Sequence, residues 1–544
     1  MKEIEKLIES MSLEELCGQV LCYDLSGERW TEDQIQEIFS ETMPGGIFVY
    51  NATKESIKKF TDIANKYTKV PLIVSSDAEN GPGGPVKDAI NLPEPMNWGA
   101  CDDEELIERG GVATAEICRE KGIHWSFAPI VDINYNPDAP GTNVRAISDS
   151  PCQVARIAKA YARGLQKNGL MAAGCKHFPG DGVDDRNCHF CTTVNDLSVE
   201  EWMQTYGYVY KEMFAMGVNT VMVGHTALPA YQQGKDGEYE DIPGFRPATI
   251  SRALMTDLLK GELGFEGCVV SDAMSMVGAC AMIDPDDLAV EFLKCGGDMV
   301  LFALPSDFQH VKNAVLDGSL PLERLKDAVR RILLLKQQVR LFEDQEKVLQ
   351  SIEKQYAIDG IAREIAEKSI TLVRDAKNVF PLNLQKGDRI LICNLQGDEE
   401  EAVRPGGYLL DVLAQELQDR GFEVCVLTNS GHRAVERELE KGCACVLINC
   451  KLSCRDYAGG SLRADWGHYG TLWRGRVLKH PKVIFTSFGD PYKLYEYPYM
   501  YTYVNTYGSV PEIQKAFVRI LLGEISFQGK SPVGLPGFFE RQVK

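Results

Sequence analysis

Leu170-Met171-Ala172-Ala173-Gly174-Cys175 runs directly into Lys176-His177-Phe178-Pro179-Gly180-Asp181-Gly182. The first six residues form a short apolar run with the length and composition of a buried strand. The next segment is a Gly/Pro-rich loop, continued by Asp184, Asp185, Arg186, Asn187 and His189. Seven charged or imidazole side chains fall in the fourteen residues 176–189. A strand that ends in such a cluster delivers it to one edge of a parallel sheet, where α/β proteins build their sites. The charge density is too high for ordinary core, and a Lys-His pair followed by carboxylates is suited to holding a polyol and moving a proton.

Working outward, similar apolar runs recur at Gly46–Val49, Leu72–Ser75, Trp125–Ala128, Thr220–Val223, Cys268–Ser271 and Met299–Leu301. Helical patterns at Glu104–Lys121, Cys152–Asn168 and Ser198–Met216 lie between them. Strand-helix alternation gives a parallel sheet. Its extent, with polar residues just after the strands, predicts an N-terminal (β/α)8, TIM-like barrel. Asp77 and Glu79 follow the second strand. Asp132, Asn134 and Arg145 follow the third, Lys176 and His177 the fourth, His225 the fifth and Asp272 the sixth. The barrel is assigned to residues 1–345, and a charged helical connector to 346–388. A smaller C-terminal α/β sandwich domain is assigned to 389–544, with strands at Arg389–Ile392, Val424–Leu427, Cys445–Ile448 and Val483–Thr486.

Composition narrows the function. A net charge of −20 disfavours nucleic acid and anionic membranes as partners, since both recruit basic patches. No run of about 18 apolar residues is present, so no membrane span is expected. The charged start Met1-Lys2-Glu3-Ile4-Glu5 lacks an apolar signal core, and the 17 cysteines are scattered. A cytoplasmic protein with reduced thiols is expected. The Tyr-rich segment 495–507 reads as packing surface against the barrel or a second copy in a homodimer. The polar-aromatic loop 455–468, with Arg455, Asp456, Arg463, Asp465, Trp466 and His468, reads either as a solvated loop or as a wall of the site.

Two readings of single motifs compete with a sugar site. Cys188-His189-Phe190-Cys191 contains one CxxC, but no second ligand pair stands at zinc spacing. Asp272, in Val269-Val270-Ser271-Asp272-Ala273-Met274-Ser275-Met276, could cap the next helix or serve as the carboxylate nucleophile of a retaining glycosidase.

Taken together, Lys176–Gly180, His189 and the Val269–Met276 segment resemble glycoside hydrolase family 3, closest to its β-N-acetylglucosaminidase branch. Met11–Glu15 with Gly18-Gln19 is similar to the family's opening helix. Phe127–Asn134 with Asn143-Val144-Arg145 is similar to its third-strand motif, and Ala366–Leu372 to the start of its second domain. The resemblance covers nearly the whole chain. It implies retaining hydrolysis of a carbohydrate substrate, here terminal β-N-acetylhexosaminides, with no metal or organic cofactor. Asp272 matches the nucleophile. Asp77, Arg145, Lys176 and His177 match residues that bind sugar hydroxyls, and His225 lies where the family lines its pocket. The acid/base of this branch is a loop His paired with an Asp two residues earlier, and His189 matches that His. Imidazole, with an ordinary pKa near 6.5, can give and take a proton near neutrality.

The chain departs from the branch at three places. Asn187 stands where the dyad Asp is expected; it can hold an imidazole but lends it no charge. Asp181 replaces a usual His, and Asp181, Asp184 or Asp185 could supply the missing charge. The loop Asp77-Ala78-Glu79-Asn80-Gly81-Pro82-Gly83-Gly84 lacks the Arg that commonly follows the Gly pair. The alternatives are therefore a β-glucosidase or β-xylosidase, a phosphorolytic variant of the same fold, and a catalytically weakened sugar-binding protein.

Overall fold

The structure, a computed structural model, describes residues 2–27, 30–233, 235, 245–280, 282–396, 409–451 and 475–543. The loop 455–468 lies outside them. Two compact units emerge. The first comprises 1–90, 107–133 and 158–357, and the second 91–106, 134–157 and 358–544.

The first unit is a nearly closed parallel α/β barrel. Its strands are β1 (Leu21–Asp24), β2 (Gly46–Phe48), β3 (Ile73–Ser76), β4 (Trp125–Ser126) and β5 (Ala172–Phe178). A short β6 (Thr193–Val194) lies outside the wall, then come β7 (Thr220–Val223), β8 (Thr226–Ala227), β9 (Cys268–Ser271) and β10 (Val300–Leu301). The wall runs β10-β1-β2-β3-β4-β5-β7-β9, and a Val270–Met299 bridge brings its two ends together. β6 and β8 form a separate parallel pair beside it.

Several strands are only two residues long, so the hydrogen-bonded ladder alone is a weak scaffold. Burial does most of the holding: Ile73, Val74, Val221, Val223, Val269 and Val270 are fully enclosed, at about 1.5–3 kcal/mol each. Helix starts are fixed locally. Ser12 with Glu15 and Ser198 with Glu201 form reciprocal capping boxes.

Three sequence expectations shift. Lys176 and His177 lie inside β5, which begins at Ala172 and extends to Phe178, rather than following a strand over the apolar run that starts at Leu170. The helix expected over Ser198–Met216 breaks at Thr205 into Val199–Gln204 and Tyr206–Met216. The charged stretch Glu346–Lys368 is two helices, Gln345–Gln350 and Ile358–Ser369.

The second unit carries a six-stranded sheet of β11 (Thr371–Asp375), β12 (Arg389–Gln396), β13 (Glu423–Thr428), β14 (Cys445–Lys451), β15 (Val483–Ser487) and β16 (Thr502–Asn505). The order is β11-β16-β15-β14-β12-β13, parallel except for β11 against β16. Period-2 alternation splits its side chains into two cores. Leu391, Cys393, Val446 and Phe485 face one side; Ile390, Ile392, Leu447 and Ile484 face the other. Both faces are covered, as parallel sheets require. Among the described residues, no helix is long and apolar enough to cross a membrane.

Candidate active site

The polar residues of the barrel collect at and just beyond the C-terminal ends of its strands. The Lys176 side chain is only 4% exposed at the end of β5. Its Nζ lies 2.7 Å from both Asp77 Oδ1 and Glu79 Oε1 on the loop after β3. One buried ammonium thus holds two carboxylates, of which Asp77 is the more open at 32% exposure.

Beside it, His177 Nδ1 lies 2.7 Å from Asp132 Oδ2. Asp132 Oδ1 also accepts the backbone N–H groups of His177 and Asp181, at 3.2 and 2.8 Å. Burial pushes the Asp132 carboxyl up, but the His177 charge and these hydrogen bonds outweigh it and hold the group below the usual carboxylate range. An ionised carboxylate only accepts, so Nδ1 of His177 carries a hydrogen.

Asp272 follows β9 directly. Its backbone N–H donates to Val223 O at 2.8 Å, and its Oδ1 accepts the Ala273 N–H at 2.7 Å. Burial raises its carboxyl; the charges of His177, His225 and Lys176 win, so the net direction is down. The fully buried His225 has Nδ1 3.1 Å from Thr249 Oγ1 and Nε2 3.0 Å from Ala273 O. A carbonyl only accepts, so its hydrogen sits on Nε2. Burial lowers its pKa, with Asp272 opposing.

The loop after β5 is closely built. Gly180 has φ of +120°, and a side chain there would meet the Tyr206 ring at 2.1 Å. The Tyr206 hydroxyl donates to Asp181 O at 2.6 Å. The Asp181 carboxylate accepts the Gly182 N–H. Asp184 is engaged by the Arg186 guanidinium at 2.5 Å and by the Val194 N–H at 2.8 Å, while Asp185 is exposed.

Further along, Asn187 Oδ1 accepts the His189 backbone N–H at 3.0 Å and lies 2.7 Å from His189 Nδ1. The backbone donor identifies that atom as the amide oxygen. Nδ1 therefore carries the hydrogen, and in the neutral ring the lone pair sits on Nε2. The same loop docks on the segment beyond Asp272. Val277 N–H donates to His189 O at 3.2 Å, and Thr192 Oγ1 donates to Gly278 O at 3.0 Å.

The structure thus brings together Asp77, Lys176, His177, His225 and Asp272, and docks the Asn187–His189 pair on the chain that follows Asp272. Arg145 belongs to the second unit, where its guanidinium donates to Gly141 O at 2.5 Å. The sequence placed Glu79 and Asp132 at strand ends without giving them a role. As the partners of Lys176 and His177, they could have been found only by pairing across strands. Cys188 Sγ lies 4.0 Å from His189 Nδ1 and Cys191 Sγ 3.6 Å from Asn187 O. Among the described residues, no cluster of three His, Cys, Asp or Glu has metal-holding geometry.

A parallel barrel with a buried carboxylate, a histidine-lysine clamp and a loop imidazole at its C-terminal rim defines a glycosidase-like site. Residues 12–335 match the model of the glycosyl hydrolase family 3 N-terminal domain. The chain belongs to glycoside hydrolase family 3. It is 32% identical over 502 residues to a β-N-acetylglucosaminidase/β-glucosidase from Cellulomonas fimi, covering 90% of this chain and 88% of that one. Among solved structures, it is similar to the β-glucoside phosphorylase BglX bound to 2FGlc, with a TM-score of 0.87 and 30% identity over 98% and 96% of the two chains. It is also similar to a family 3 β-N-acetylglucosaminidase from Paenibacillus sp. str. FPU-7, with a TM-score of 0.82 and 25% identity over 98% and 100%.

Proposed function

We propose that the chain is a retaining exo-β-glycosidase that removes terminal β-N-acetylhexosaminyl groups. Asp272 attacks the anomeric carbon, the glycosidic bond breaks, and His189 Nε2 protonates the departing oxygen. His189 then takes a proton from water, which attacks the same carbon and frees Asp272. Asp77, Lys176 and His177 hold the ring hydroxyls, and His225 lines the pocket beside Asp272. The observation that carries this reading is the placement of Asp272: a buried carboxylate directly after β9, beside Lys176, His177 and His225, which draw its pKa down against the pull of burial. The names of the Cellulomonas fimi and Paenibacillus relatives support the sugar. An aryl-glycoside panel of N-acetylglucosaminide, N-acetylgalactosaminide, glucoside and xyloside tests it, with anomeric configuration followed by NMR. Fastest turnover of an N-acetylhexosaminide with retention is expected. Inversion, or binding without turnover, overturns the reading.

A second reading, phosphorolysis, is favoured by one feature. With Asn187 in place of Asp, the imidazole has no anionic partner in its pair, so an incoming phosphate meets less repulsion. Phosphate oxygen would then attack the anomeric carbon and displace Asp272, giving a glycosyl phosphate. The likeness to a β-glucoside phosphorylase supports this acceptor and a glucoside donor. Products formed with and without phosphate decide it; free sugar released at a phosphate-independent rate as sole product excludes it.

A further inference from the structure

The second unit holds a cavity of about 1030 Å³, none of whose lining residues belongs to the cluster around Asp272. We propose that this cavity binds a neutral oligosaccharide, making a second glycan site separate from the barrel's. The proposal does not depend on which glycoside the barrel cleaves.

Its size lies at the upper end of pockets that enclose small ligands (roughly 300–1,000 Å³). Tyr135, Tyr492, Tyr495 and Phe539 supply aromatic walls, and Tyr135 and Tyr495 are 39% and 58% exposed. Such rings offer apolar faces to the C–H faces of a pyranose. The polar lining selects against anions. Lys493, 1% exposed, is shared between Asp490 at 3.0 Å and Glu496 at 3.8 Å. Arg541 is taken by Asp149 at 2.7 Å. Asp138 and Glu540 add further carboxylates. Neither cation is therefore left to neutralise a phosphate or a carboxylate, whereas hydroxyl donors find acceptors.

Asn134 positions part of the cavity wall. It lines the cavity at 2% exposure. Its Nδ2 donates to Asn143 O and to the Tyr492 hydroxyl, at 3.3 and 2.9 Å. Its Oδ1 has no hydrogen-bond partner among the described residues. With both amide hydrogens engaged, Asn134 holds the Tyr492 hydroxyl and so fixes one aromatic wall of the cavity.

The test uses the 544-residue chain carrying Asp272→Asn, so that bound sugar is not consumed. Isothermal titration with cellobiose and with N,N′-diacetylchitobiose is expected to show two binding events for at least one of them. Adding Tyr495→Ala, an exposed change that leaves the core intact, should weaken one event at least tenfold and leave the other unmoved. Glu540→Gln should weaken that same event. Absence of any binding event, or events that neither change weakens, overturns the proposal. Saturable binding of spermidine in place of both disaccharides overturns it as well.

Discussion

Asn187 Oδ1 accepts both the backbone N–H and the ring Nδ1–H of His189. A carboxylate at this position would offer the same acceptor, so the amide fixes the same tautomer. It differs only in charge. The substitution therefore separates two contributions that an Asp–His pair combines, orientation of the ring and stabilisation of the imidazolium. Orientation is kept here. In serine-protease triads an Asp→Asn change costs about 10⁴ in rate because the wrong tautomer forms; that penalty does not arise when the amide oxygen faces Nδ1.

Asn187→Asp should consequently move a pH limb without creating activity from nothing. An anion 2.7 Å from Nδ1 favours the protonated ring and raises its pKa. The protonated ring is the acid for departure of the aglycone, so the alkaline limb of kcat/KM should move up by about one pH unit. An unmoved limb would remove His189 from the proton relay.

Asp272→Asn should lower turnover by roughly 10⁴-fold or more, in line with loss of a nucleophile elsewhere. The Asn oxygen can still accept the Ala273 N–H, so far-UV circular dichroism and Tm should change little. Turnover within tenfold of the parent would eliminate Asp272 as nucleophile.

How much of this site is legible in the sequence depends on whether its parts are local. Lys176, His177, Asn187 and His189 sit in one stretch, and the strand leading into them announces its role by composition. Asp132 and Glu79 act through partners 45 and 97 residues away, and strand register decides those pairings. β1 escaped notice because Leu16–Leu25 is a nearly continuous apolar run, in which a helix end and a buried strand look alike. β11 and β16 were missed for another reason. The Thr371–Asp375 strand carries charges along a partly exposed edge, and Thr502–Asn505 lies within a Tyr-rich segment read as packing surface.

Gly278→Ala tests the docking of the His189 loop. A Cβ at 278 would sit 2.2 Å from Cys188 O and 2.8 Å from Cys191 O, both backbone atoms. The loop must move away, taking His189 with it. A displacement of about 1 Å can cost 10²-fold in rate, so kcat should fall by roughly 10–100-fold. Stability should be little altered, because the clash is confined to a rim loop. The readout is kcat for aryl glycosides with poor and good leaving groups. The loss should be largest for poor leaving groups, which depend most on protonation; an equal loss for both would assign Gly278 a purely structural part.

Asp132→Asn removes the buried charge that holds His177. The folded carboxyl lies below its unfolded value, so its stabilisation is present above the unfolded pKa and disappears as pH falls through the folded one. The variant should have a lower Tm than the parent at pH 7, by an amount reflecting roughly 3–5 kcal/mol for a broken buried pair. The gap should narrow toward pH 3. A gap independent of pH would show that packing, not charge, makes the difference.

Lys336 lies in the opposite sense, at the N-terminal end of the barrel wall. Its fully buried Nζ donates to Gln19 Oε1 at 2.7 Å, just before β1. Burial pulls this ammonium down to about 7, with the Cys22 thiol opposing. Between about 7 and the ordinary lysine value the folded chain binds fewer protons than the unfolded one, so stability rises with pH across that window. Below it the full desolvation cost remains, on the order of 5 kcal/mol. Lys336→Met abolishes that cost but leaves the Gln19 amide oxygen without its donor, a loss of about 1–3 kcal/mol. The variant should therefore have the higher Tm at pH 6, a shrinking advantage at pH 8, and none or a deficit at pH 10. Thermal unfolding of parent and variant at those three pH values measures it. A constant difference across them would mean that Lys336 stays charged in the folded barrel, with its charge satisfied by something other than Gln19.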